Sequence, residues 1–168
     1  MRDLNKYYKL AKAELDVLDI PYSKNIVSVT PNSRATKRWG QCKRRGDKYY
    51  INISTRLLDE SVPEKSLMTV LIHELLHSCP NCMEHKNEWK RLAEMVNDCY
   101  NYNISRCNSS KEYGVKPLPK KKPKYTVTCT ECGQKYYHNR KAFWFDNPSK
   151  YAKCGVCHKS SLIIIQNR

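Results

Sequence analysis

Apolar side chains at Leu4, Tyr8, Ala11, Leu15 and Leu18 recur in steps of three and four. That spacing lines one face of a helix and predicts one over residues 3–18. "DIPYS" then breaks the pattern, and "NIVSVT" (25–30) reads as a short β-branched strand. In "KRWGQCKRRGDKYYINIS", Tyr49, Ile51 and Ile53 alternate with Tyr50, Asn52 and Ser54. This predicts a hairpin turning at Gly46 and Asp47. The next start signal is "SVPE", with Ser61 as N-cap, Pro63 just inside and Glu64 at the reciprocal capping position. From there Leu67, Met68, Val70, Leu71, Ile72, Leu75 and Leu76 leave almost no polar face, so a helix buried on most sides is expected as far as Pro80. Trp89, Leu92, Val96 and Cys99 mark a further amphipathic helix at about 86–101.

"GVKPLPKKKPK" (114–124) is rich in proline and lysine and predicts a semi-extended linker. It divides the chain into a domain over 1–113 and a small module over 125–168, whose strands would be "YTVTC" and "SSLIIIQ". No internal repeat is present, and no apolar run approaches the roughly 18 residues that span a membrane. The polar N-terminus does not read as a signal peptide.

Charge sharpens this division. Residues 1–60 carry 13 basic and 7 acidic side chains, 61–113 carry 6 and 7, and 114–168 carry 12 and 2. A near-neutral middle between basic ends suggests that the ends meet a charged partner, most commonly a phosphate backbone; plain solubility is the bland alternative. Nine cysteines with no export signal point to a reducing compartment. The expected location is the cytoplasm, beside the nucleoid, or the nucleus of a eukaryote.

Two constellations carry chemistry. His73 and His77 stand one helical turn apart with Glu74 beside the first, the HExxH arrangement in which two histidines bind zinc and the glutamate acts as base. The pattern occurs by chance on exposed helices, but this helix is nearly all apolar, and two buried imidazoles and a carboxylate without partners would cost several kcal/mol. A catalytic zinc takes three protein ligands and one open position. Cys79 and Cys82 would close a structural Cys2His2 site with the two histidines, but Cys79 falls only two residues after His77, on the wrong side of a helix that is ending; spacing does not separate His85 from Glu94 as the third ligand. In the C-terminal module, Cys129–Cys132 and Cys154–Cys157 form two CxxC pairs with the separation of a structural zinc site. Such a small module has too little core to fold without a metal. His138 and His158 lie near these pairs, but four thiolates already complete a site.

Aromatic residues between the two pairs alternate with cations, as in proteins that stack bases and neutralise phosphates. In so small a module, however, many of the aromatics must also form its core. The candidate nucleic-acid contacts are Lys120, Lys121, Lys122, Lys135, Arg140, Lys141 and Trp144, with Arg38, Lys43, Arg44 and Arg45 as a second basic stretch. Trp39 and Cys42 read as packing residues.

"RWGQC", "LIHELLHSCPNCMEHKNEWKRLA" and "CTECG…YAKCGVCHKSSLIII", in that order, resemble the SprT-like family, which includes the Spartan proteases, across nearly the whole chain. The gap from His77 to His85 is shorter than in Spartan proteins and is similar to compact bacterial or phage members. Lys86 stands where members often carry glycine. The resemblance implies zinc ligation by His73, His77 and His85, with Glu74 as general base.

The expected fold is α+β: a small zincin-like catalytic domain of helices and a short sheet, with HExxH on a buried helix, followed by a four-cysteine zinc ribbon. The expected function is zinc-dependent hydrolysis of proteins bound or crosslinked to DNA, with two zinc ions and no membrane. Single-stranded or frayed DNA is the expected nucleic-acid partner, and an extended substrate would pair with "KYYINIS" as an edge strand. The rivals are a non-proteolytic nucleic-acid-binding zinc protein and a hydrolase of non-peptide amides.

Overall fold

Asp3 caps the first helix, α1 (Leu4–Val17), by accepting the Asn5 N–H at 2.9 Å. Leu4, Tyr7, Ala11 and Leu15 face inward. The chain continues through β1 (Ile26–Asn32), β2 (Gly40–Arg45), β3 (Lys48–Ser54), a 3-10 turn (Thr55–Leu58), α2 (Glu64–Leu76) and α3 (Asn87–Tyr100). The computed structural model describes residues 1–119 and 122–167. It divides into two units, Met1–Leu118 and Pro119–Arg168.

β2 and β3 form the expected hairpin, with Gly46 at a positive φ of 62° in the turn. β1 then joins the other side of β3 in parallel, giving the order β1-β3-β2. "KYYINIS" is therefore the interior strand, which overturns its expected role as a free edge. The reason lies in its burial: Tyr49, Ile51 and Ile53 are all covered, and Ile53 is fully so. A strand this apolar takes the centre of the sheet, under α2, and leaves the more polar "GQCKRR" outside.

α2 begins at Glu64 with Pro63 before it, and the expected capping box does not form. The Ser61 N–H bonds to the Asp59 carboxylate at 2.9 Å, and Glu64 accepts a short hydrogen bond from the Tyr7 hydroxyl. The helix also ends earlier than Pro80: His77 follows its last residue, and the Ser78 hydroxyl donates to the Leu75 carbonyl at 2.7 Å. Leu67, Leu71, Ile72, Leu75 and Leu76 are fully buried, each contributing roughly 1.5–3 kcal/mol to stability. α3 is the expected amphipathic helix and packs Trp89, Leu92, Ala93 and Val96 inward; Cys99 alone of the residues read as its apolar face is exposed.

The expected linker is ordered at its start. Val115 is buried in the first core, and the Arg56 guanidinium donates to the Lys116 carbonyl at 2.5 Å. The second unit contains β4 (Tyr125–Cys129), β5 (Lys135–His138), a 3-10 turn (Phe143–Asp146), the single-turn α4 (Pro148–Tyr151) and β6 (Leu162–Gln166). Its antiparallel sheet has the order β5-β4-β6. Val127, Cys129, Phe145, Cys154 and Leu162 form its core. The architecture is mixed α+β with two small sheets. Among the described residues no helix is long and apolar enough to cross a membrane.

Candidate active site and cysteine cluster

The last turn of α2 carries His73 and Glu74, His77 follows directly as its C-cap, and the "CPNC" loop returns the chain so that His85 meets them. Asn81 takes a positive φ of 60° within that loop. The ligand atoms of His73, His77 and His85 lie within 4.8 Å of one another, with 3.0 Å between the Nε2 atoms of His73 and His85. Tetrahedral zinc with bonds of roughly 2.1 Å would set its nitrogens about 3.4 Å apart. Three imidazoles fit such an ion with a position to spare.

A backbone group orients one of the rings. His77 Nδ1 donates to the Cys82 carbonyl at 2.8 Å. Such a partner fixes a ring's tautomer and leaves its other nitrogen for a metal. Trp89 packs against all three imidazoles, stacked on His77 and edge-on to His73 and His85, with ring centroids 4.5–5.7 Å away. Burial, then the neighbouring charges of His77 and His85, pushes the His73 pKa down to about 3; burial also lowers His77 and His85. Neutral imidazole is the form that binds metal.

The competing donors are elsewhere. Glu94 and Asp98 are exposed on α3 and lie outside the cluster. Cys79 and Cys82 are buried in the loop, and burial pushes the Cys79 thiol up to about 12. Cys82 contributes its carbonyl, not its sulfur.

Glu74 is 5% exposed, and burial raises its pKa to about 8 against the opposing effects of a Cys42 backbone hydrogen bond and the Arg38 charge. β2 passes so close that a Cβ at Gly40 would lie 2.5 Å from Glu74 Oε1 and 2.8 Å from Cδ. Only glycine fits there. Gly40 was not recognised as a site residue, although a glycine inside a strand is a signal of close approach.

The three histidines and Glu74 open into a cleft of 410 Å³. Its other walls include Arg38, Trp39 and Cys42 from the β2 side, and Arg106 and Tyr113 from the chain after α3. Trp39 is a packing residue, as expected: its indole N–H donates to the Asn108 carbonyl at 3.2 Å. Tyr113 was missed, because it precedes a stretch whose composition reads as linker.

In the second unit Cys129, Cys132, Cys154 and Cys157 bring their sulfurs within 4.8 Å of one another, with 3.5 Å between Cys129 and Cys157 and between Cys132 and Cys154. Four thiolates at about 2.3 Å from a zinc ion would stand about 3.8 Å apart, so the cluster also fits this metal. The Tyr136 hydroxyl, 3.2 Å from Cys154 Sγ, is the main influence holding that thiol down at about 6. His138 and His158 are outside the cluster.

The expected nucleic-acid contacts are scattered. Arg38 is at the cleft, and Lys43, Arg44 and Arg45 are exposed on the outer half of β2. Lys122, Lys135, Arg140 and Lys141 are exposed, with Lys141 paired to Asp146; Lys120 and Lys121 lie outside the described residues. Trp144 is half-buried against Phe145 and His138, at 4.7 and 5.7 Å, beside the small core of the second unit. Phe143 beside it is 81% exposed.

The sequence model of the SprT-like family matches residues 3–108. No curated protein matches the chain.

Proposed function

Since this chain belongs to the SprT-like family, we propose that it is a zinc metallopeptidase with a zincin-like first unit, acting on proteins bound or crosslinked to DNA. The observation that carries this reading is the meeting of His73, His77 and His85 around one point beside a buried Glu74. A structural zinc site has no use for a carboxylate held there. When bound, zinc supplies the Lewis acidity that acidifies water and polarises a carbonyl, and its charge favours the ionised form of Glu74.

His73, His77 and His85 are the ligands in this proposal. Glu74 takes the proton of the attacking water as its oxygen bonds to the scissile carbonyl carbon. The same carboxyl then gives that proton to the leaving nitrogen as the C–N bond breaks. β2 walls the cleft, and among the described residues its outer side pairs with no strand, so it replaces "KYYINIS" as the edge for an extended peptide.

The four cysteines of the second unit hold the second, structural zinc. The excess of positive charge over residues 114–168 supports nucleic acid as the recruiting partner. Single-stranded or frayed DNA is favoured by exposed aromatics among these cations, with Phe143 and Tyr137 more available than Trp144.

The test incubates the purified chain with a DNA-binding protein, with and without single-stranded DNA, beside Glu74→Gln. Two zinc ions per chain in both forms, with cleavage only by the wild type and faster on DNA, are expected. Two zinc ions with no cleavage under any DNA condition would favour a nucleic-acid-binding zinc protein instead.

A further inference from the structure

The cleft holds one further group placed for the chemistry, and it comes from the stretch that reads as linker. Tyr113 is buried, lines the same cleft as Glu74 and the three histidines, and lies five residues beyond the part matched by the family. We propose that the Tyr113 hydroxyl donates the hydrogen bond that stabilises the scissile carbonyl oxygen as it becomes an oxyanion. This inference rests on the metallopeptidase reading and supplies the donor which that reading otherwise lacks.

Placement of the ring is well determined. It packs edge-on against Trp39, with centroids 5.5 Å apart, and Trp39 is held by its bond to the Asn108 carbonyl and by the Arg56 guanidinium 5.0 Å from its ring. The backbone around it forms an ordered turn. The N–H groups of Tyr113, Gly114 and Val115 donate to the carbonyls of Ser109, Lys111 and Ser110 at 3.3, 3.1 and 2.9 Å. Gly114 turns the chain with a φ of 64°, and a Cβ there would lie 2.9 Å from Pro63 Cδ. Val115 then anchors the segment in the core. A true linker has no reason to carry these features; together they hold one aromatic ring in the cleft wall.

The hydroxyl is also free to donate. Burial, then the charges of Glu74, Glu112 and Cys107, raises its pKa above the ordinary value, and no hydrogen bond is among these influences. It therefore stays protonated at neutral pH. Its rivals in the cleft are less suited. Asn108 Nδ2 already donates to the Asn103 carbonyl at 2.8 Å, and the Ser105 hydroxyl is engaged with Cys107 and Asn108. Arg38 and Arg106 are exposed, on long and mobile side chains.

No proton leaves Tyr113 during the reaction. The water oxygen bonds to carbon, the carbonyl oxygen gains charge against the phenol O–H, and Glu74 carries the proton to the leaving nitrogen. A bond that strengthens only with developing charge raises kcat and leaves KM alone.

Tyr113→Phe removes the hydroxyl and keeps the ring on Trp39. We expect kcat and kcat/KM to fall together by roughly 10²–10³-fold, with KM, zinc content and Tm unchanged. A second readout does not depend on turnover. Affinity for a phosphinic pseudopeptide, which mimics the charged tetrahedral species, should fall by about 10²-fold, while affinity for the matching substrate peptide, measured in Glu74→Gln, should not change. A Tyr113→Phe protein that keeps wild-type kcat and phosphinate affinity overturns the inference and leaves the peptidase reading standing. A wild type that neither cleaves protein nor binds the phosphinate overturns both.

Discussion

Replacing Gly40 by alanine tests the geometry around Glu74 without touching a charged group. The added methyl would sit 2.5 Å from Oε1, 2.7 Å from Cγ and 2.8 Å from Cδ of Glu74. Ordinary contact begins at about 3.4 Å, so roughly 0.9 Å must be absorbed either by the carboxylate or by β2. Neither yields freely: Glu74 is 5% exposed on a helix packed on most sides, and β2 is tied to β3 from Gly40 to Arg45. Overpacking of this size costs about 1–3 kcal/mol, which in a unit of this length lowers Tm by roughly 4–12 °C. A base displaced by nearly 1 Å loses about 10²-fold in kcat. The three histidines are not contacted, so zinc content should stay at the wild-type value. A double-mutant cycle with Glu74→Asp, read as Tm, isolates the contact. The shorter side chain makes room for the methyl, so Gly40→Ala should destabilise the Glu74→Asp protein far less than the wild type. Equal Tm losses in the two backgrounds, or a Gly40→Ala enzyme with wild-type kcat, would refute this account of the contact.

His85→Ala should lower zinc from two ions per chain to one and abolish cleavage, whereas Glu94→Ala should keep both ions; metal analysis of the two variants decides between them. The metal-free protein should lose stability as pH falls below about 6.5 toward about 3. The folded pKa of His73 lies below its ordinary value, so the unfolded chain binds more protons across that window. Tm measured from pH 7.5 to 4.5 should therefore drop less in His73→Asn than in the wild type, and identical curves would count against buried neutral imidazoles. Affinity for single-stranded DNA should fall steeply with salt, and the paired change Lys135→Ala and Arg140→Ala should flatten the log–log slope; an unchanged slope removes these two side chains from the interface.

How far the sequence foretold the protein depended on the range of each interaction. The HExxH spacing was legible because His73, Glu74 and His77 lie within five consecutive residues at the end of an apolar segment. The two CxxC pairs were equally plain, and "YTVTC" is strand β4 as read. The turn at Gly46 needs only a two-residue signal. What failed was long-range. Nothing in "NIVSVT" announces that it pairs in parallel with "KYYINIS", so the central strand was taken for an edge. Ser61 lost its capping role because Asp59, Tyr7 and Arg2 offered competing partners to the same groups. Tyr113 and Val115 were hidden by the lysines and prolines after them, since composition averages over a boundary that falls at Leu118. The close approach of Gly40 to Glu74 joins two elements 34 residues apart, and only the folded chain displays it.

The central claim is that Glu74 directs water onto peptide bonds, and isotope labelling reaches it most directly. A DNA-binding protein is digested on single-stranded DNA in water enriched in oxygen-18, and its new C-termini are read by tandem mass spectrometry. The account predicts termini carrying one heavy oxygen in the wild-type digest, none with Glu74→Gln, and none after chelation of zinc. Labelled termini that persist in Glu74→Gln, or their absence from a wild-type protein holding two zinc ions, would contradict it.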